Sequence, residues 1–189
     1  KTEKQKLIDK YNSNKRHLKH LDSKINKDYK KMINPLGKES VSSISDNKII
    51  EYLSSGYLGY CKFINAIYKV ENNRNVLIKS RKENIVQFIN CDYELDVGDL
   101  DEIISDLTLN YYNKFDNLYE EYQQNMTKKN RKKFENICKL FDNKQDRFER
   151  QTYLCLINAN DINKDYINKF LKIKNNKGVE HVLIGKINN

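Results

Sequence analysis

Leu100, Ile103, Ile104, Leu107, Tyr111, Phe115, Leu118 and Tyr122 recur at steps of three and four residues. Only a helix, at 3.6 residues per turn, gathers such positions onto one side, whereas a strand would scatter them over two faces. An apolar stripe this long has to be buried against other elements, so the segment demands a multi-element core around it. Asp96 and Asp99 stand near its start, where negative charge suits the positive end of a helix.

Shorter segments repeat the pattern. Ser45 or Asp46 can cap a helix carrying Ile49, Ile50, Tyr52 and Leu53, and residues 57–70 resume with Tyr60, Phe63, Ile64, Ile67 and Tyr68 inward. After a turn at residues 72–75, Val76-Leu77-Ile78 has the character of a short strand, and residues 81–89 are read as a short helix. Thr127 can cap a helix with Phe134, Ile137, Cys138 and Phe141. Residues 147–158 follow with Phe148, Tyr153, Leu154 and Ile157. Asn160 or Asp161 is expected to cap a last helix with Ile162, Tyr166, Ile167, Phe170 and Leu171. In the tail, Val182-Leu183-Ile184 is expected to form a single strand and to pair with residues 76–78, since lone strands leave backbone groups unpaired.

Ahead of all this, Leu7, Tyr11, Asn14, Leu18, Leu21, Ile25, Asp28 and Met32 form a heptad seam with polar breaks. A long amphipathic helix over residues 4–33 is expected, stopped by Asn34-Pro35-Leu36-Gly37. Its interface residues would be Leu7, Tyr11, Leu18, Leu21, Ile25 and Met32, docking on the bundle or on a second copy. A Ser-rich linker over residues 38–45 follows. The expected fold is therefore all-α: an irregular bundle of about six to eight helices with a long N-terminal helix and at most one two-stranded pairing. Its parts would be an arm at 1–36, a bundle at 45–175 and a tail at 176–189. The 13 Tyr and 7 Phe of the 189 residues supply enough bulk for one core.

The formal net charge of +9 suits a polyanionic partner, but it lies in blocks: basic over 1–33, acidic over 92–121, basic over 127–150. Alternating blocks suit contacts between segments or between chains equally well. The wealth of Lys, Asn, Ile and Tyr follows A+T-rich codons, as in some parasite and viral genomes, and weakens charge as a functional signal. No run approaches the roughly 18 apolar residues of a membrane span.

Few residues can carry chemistry. His17 and His20, near Asp22, could supply a pair of metal ligands, but His181 is the one other histidine and an exposed basic face explains the pair better. The acidic run from Asp92 to Glu102 fails as a calcium loop: with Gly98 sixth, Tyr93 falls first and Val97 fifth. Gly56-Tyr57-Leu58-Gly59 has the spacing of a nucleotide-clamping GxxG, yet close helix packing accounts for it. Cys61, Cys91, Cys138 and Cys155 lack zinc-like spacing; Cys61, Cys138 and Cys155 lie among apolar residues, and free buried thiols are the plain reading, with disulfides open if the chain is secreted. Phosphate loops and nucleophile elbows are missing. Lys128, Lys129, Arg131, Lys132 and Lys133 make the densest basic cluster.

The expectation is a non-catalytic helical interaction module without cofactor or metal, binding another protein through helix faces and able to self-associate. The alternative is an RNA- or other polyanion-binding protein using the arm and the cluster at residues 128–133.

Overall fold

A computed structural model gives the structure at Ser13, Arg16 and residues 28–187, with side-chain surroundings as far as residue 176. Of the expected arm interface, Leu7, Tyr11, Leu18, Leu21 and Ile25 lie outside the described residues. Residues 28–32 are helical. There follow α1 (Asp46–Leu53), α2 (Tyr57–Lys69), β1 (Val76–Ser80), β2 (Ile85–Ile89), β3 (Leu95–Asp99), α3 (Leu100–Tyr122), α4 (Lys128–Asn143) and α5 (Gln145–Ile187).

The all-α expectation is overturned by a three-stranded antiparallel sheet in the order β1-β2-β3. Residues 76–78 are a strand, but their partner is β2, in the segment read as a helix, and not residues 182–184. The backbone at 182–184 is helical, as part of α5. Ile85, Val86, Phe88 and Ile89 fit a helical step as well as a strand, and a run this short cannot separate the two. The turns decide the matter. Asn84 takes a positive φ of 56°, a backbone state that asparagine tolerates better than most residues. The Asn90 side chain accepts N–H bonds from Asp92 and Glu94 at 3.0 Å each, closing the second turn.

The register sorts the strands into two faces. Val76, Ile78 and Val86 enter the main core with Tyr60, Phe63, Tyr111, Phe115, Phe134 and Phe148. Leu77 and Ile89 enter a second core with Tyr29, Ile33, Tyr93, Ile167 and Phe170. Met32, the one described residue of the expected arm interface, is half-buried against this second core. The buried face at this end of the arm centres on Tyr29 and Ile33, one position on from the heptad seam through Asp28 and Met32.

The Ser-rich stretch is anchored and not loose. Asn73 Oδ1 accepts from Asn34 Nδ2 at 2.7 Å and the Ser40 N–H at 2.9 Å, while its Nδ2 donates to the Ser40 and Ile67 carbonyls. Glu39, 3% exposed, accepts from the Gly37 N–H, Asn75 Nδ2 and Lys114 Nζ. Such a buried carboxylate is tolerable only because it is so fully paired. The glycine pair joins two helices: a Cβ on Gly59 would lie 1.7 Å from the Tyr52 carbonyl oxygen, so α1 and α2 meet closely only with glycine there.

The last two expected helices are one. Asn160, expected as a cap, lies inside α5, where its Oδ1 accepts the Ile78 N–H at 2.8 Å and its Nδ2 donates to the Ile78 carbonyl at 3.3 Å. Replacing it by leucine strands both backbone groups beside the core. We expect Asn160→Leu to lower stability by about 1–3 kcal/mol in urea unfolding. A loss under about 0.5 kcal/mol, the usual effect of a surface change, would show that the amide is not needed.

Candidate functional site

The two edges of the sheet differ, and the difference follows from hydrogen-bond alternation. In an antiparallel pair, every second residue turns its N–H and C=O away from the partner strand. The Asn90 N–H bonds to the Glu94 carbonyl at one end of the β2–β3 pair and the Leu100 N–H to the Asn84 carbonyl at the other. With the register between them, Asp96 and Gly98 face β2, while Leu95, Val97 and Asp99 turn their backbone groups outward. The same alternation, starting from the Ile89 N–H bonded to the Asn75 carbonyl, turns Val76 and Ile78 outward on β1.

On β1 three of these four groups are met. Asn160 pairs with Ile78 in both directions, and Asn163 Nδ2 donates to the Val76 carbonyl at 2.8 Å. On β3, among the described residues, no other element meets the outward groups of Leu95 and Val97 or the Asp99 N–H. The Val97 N–H bonds to the carboxylate of its own neighbour Asp96 at 2.9 Å. Val97 is 58% and Leu95 37% exposed, so backbone donors, acceptors and two apolar side chains are offered together.

Both ends of this strand are held. Asp99 Oδ1 accepts from the Asp101 and Glu102 N–H groups to cap α3, and its Oδ2 accepts from Asn84 Nδ2 at 2.8 Å. At the other end, Lys174 of α5 pairs with Glu94 and donates to the Tyr93 carbonyl. Around the edge stand Asp92, Glu94, Asp96, Asp99, Asp101 and Glu102, all exposed. An edge guarded by one sign of charge repels a second copy of itself and favours a basic strand.

The basic cluster sits where its sequence places it. Lys128, Lys129 and Lys132 are exposed and Arg131 is half-buried at the start of α4, which Thr127 caps by accepting the Asn130 N–H. Lys133 donates to the Ser54 carbonyl at 3.2 Å, leaning on the end of α1. None of the five makes an ion pair among the described residues. His17 and His20 lie outside the described residues, within which no group of three or more His, Cys, Asp or Glu could hold a metal ion.

All four cysteines are free: Cys155 is buried, Cys61 and Cys138 half-buried, and Cys91 exposed. Burial pushes the Cys155 thiol up to about 12. An open cleft of about 660 Å3 lies between the hairpin turn and α5, lined by Arg81, Arg150, Asp101, Asp146 and Glu149 among others, and its charges are mixed. No described helix is long and apolar enough to cross a membrane. No family model, curated protein or solved structure matches the chain.

The β3 edge passed unnoticed in the sequence because its five residues carry two apolar side chains among acids, a pattern that also reads as a helix start. Its guard can be removed. Asp96→Val frees the Val97 N–H and deletes a charge, so sedimentation at matched concentrations should show more self-association than in the parent chain. Unchanged sedimentation would mean that Asp96 does not protect the edge.

Proposed function

We propose that the protein is a non-catalytic interaction module that takes an extended, basic segment of another protein as a fourth strand on β3. The observation that supports this reading is the contrast between the edges: Asn160 and Asn163 occupy three of the four outward groups of β1, whereas those of Leu95 and Val97 and the Asp99 N–H meet no other element among the described residues. Strand addition draws affinity from such main-chain groups and specificity from alternate side chains. Here those side chains would meet Leu95 and Val97 on one face, with carboxylates nearby for Lys or Arg. This moves the interaction from the helix faces expected at first to the sheet.

A polyanion-binding role for α4 is the second reading. It draws on five cations gathered at the positive end of a helix, where they oppose the dipole and are not offset by ion pairs among the described residues.

A peptide of alternating Val and Lys, titrated into the full chain, tests the first reading. Backbone amides of Leu95 and Asp99 should gain protection from hydrogen exchange. Affinity should fall as salt shortens the screening length below ~10 Å, and a Val–Glu peptide should not bind. Val97→Pro removes an outward N–H that plays no part in the β2–β3 ladder, so it should abolish binding while Phe88 stays paired. Binding that survives Val97→Pro, or that Lys128→Glu abolishes instead, would contradict strand addition.

A further inference from the structure

A second feature, independent of the sheet edge, lies on the far side of β1. The end of α2, the turn after it and the middle of α5 border an open pocket of about 210 Å3, lined by Tyr68, Lys69, Arg74, Asn158, Ala159 and Ile162 among others. That is room for roughly seven water molecules at ~30 Å3 each, or for a short organic acid.

The lining is one-sided in charge. Lys69 and Arg74 bring two cations, and no described Asp or Glu lines the pocket. Neither cation makes an ion pair among the described residues. The Arg74 guanidinium lies over the Tyr166 ring at 6.0 Å, and its Nε is buried without a hydrogen-bond partner among the described residues. A guanidinium stays charged at any ordinary pH, and its planar fork matches an anion with two oxygens. Asn158, exposed and without a hydrogen bond among the described residues, adds an amide donor.

The remaining walls are apolar apart from Asn65, whose amide nitrogen is taken by the Cys61 carbonyl at 2.8 Å. The Tyr68 hydroxyl is turned to that of Tyr111 in the core, so the ring is what Tyr68 can offer. Cys155 remains a neutral thiol, because burial disfavours its thiolate. Ile162 is 53% exposed and Ala159 half-buried, a patch that a short hydrocarbon could cover. Cations on one side and hydrocarbon on the other select a carboxylate with an apolar tail over a fully hydrated phosphate.

We infer that this pocket binds a small monocarboxylate, its charge set between Arg74 and Lys69 and its tail on Ala159 and Ile162. The shared chemistry belongs to a free short-chain acid and to the C-terminal carboxylate of a peptide, and the pocket's size favours the free acid.

The test is a titration of the full chain followed by backbone amide shifts, with isovalerate, its neutral isostere isovaleramide, inorganic phosphate and an acetylated dipeptide acid as probes. Isovalerate should move Asn158, Ala159 and Ile162 saturably, and isovaleramide should not. Tighter binding of the dipeptide acid than of isovalerate would overturn the choice of a free acid. Arg74→Gln should weaken isovalerate by about tenfold or more, the loss of one charged hydrogen bond. Because Arg74 also touches Tyr166, Asn158→Asp serves as the second variant: it keeps size at an exposed helical position and sets a competing carboxylate at the pocket, so it should weaken isovalerate to a similar degree. Equal shifts from isovaleramide, tighter saturation by phosphate, no saturable shift, or unchanged affinity in both variants would overturn the proposal. None of these outcomes depends on the β3 edge.

Discussion

The amide of Asn160 holds the free edge of β1 as a neighbouring strand would, giving one hydrogen bond and taking one from Ile78. Much of the remaining arrangement hangs on that contact. It fixes α5 alongside the sheet, so that Phe148 and Leu156 reach the main core while Ile167 and Phe170, further along the same helix, reach the second. Thr152 adds a tie to α3, accepting from the Thr108 hydroxyl at 2.8 Å deep in the interior. A small sheet is marginal by itself and needs a helix against it. Here one helix both covers the sheet and closes one of its edges.

With α5 on one edge, the other edge of the sheet is the one on which the proposed strand addition rests. Among the described residues α5 does not shield β3 in the same way; it meets the preceding turn, through Lys174 with Glu94 and Tyr93. What protects β3 is charge, with Asp96 folded onto the Val97 N–H. Charge is a selective guard. It discourages copies of the same acidic strand and leaves a basic one favoured.

The helices were largely legible because their apolar residues repeat over several turns, as from Leu100 to Tyr122, and because Asp99 and Thr127 are good caps. The sheet was legible only at Val76-Leu77-Ile78. β2 carries an apolar run too short to show its period, and both of its faces are used, so the in-out alternation that marks a strand is lost. Asn160 looked like helix punctuation, since asparagine favours caps; its long-range bonds to Ile78 overrode that preference. The basic cluster at residues 128–133 was plain in the sequence. The open edge was not, because which backbone groups point outward depends on register and on what covers each strand, and neither is written in local composition.

One edge of the sheet is covered and the other open, and backbone amide exchange in the free protein reads both at once. The Ile78 amide should exchange slowly, near the rate of global opening, and should lose that protection in Asn160→Leu. The Leu95 and Asp99 amides should exchange quickly, while Gly98 between them, paired to β2, stays protected. Fast exchange at Ile78, or slow exchange at Leu95 and Asp99, would contradict the asymmetry on which the reading of this protein depends.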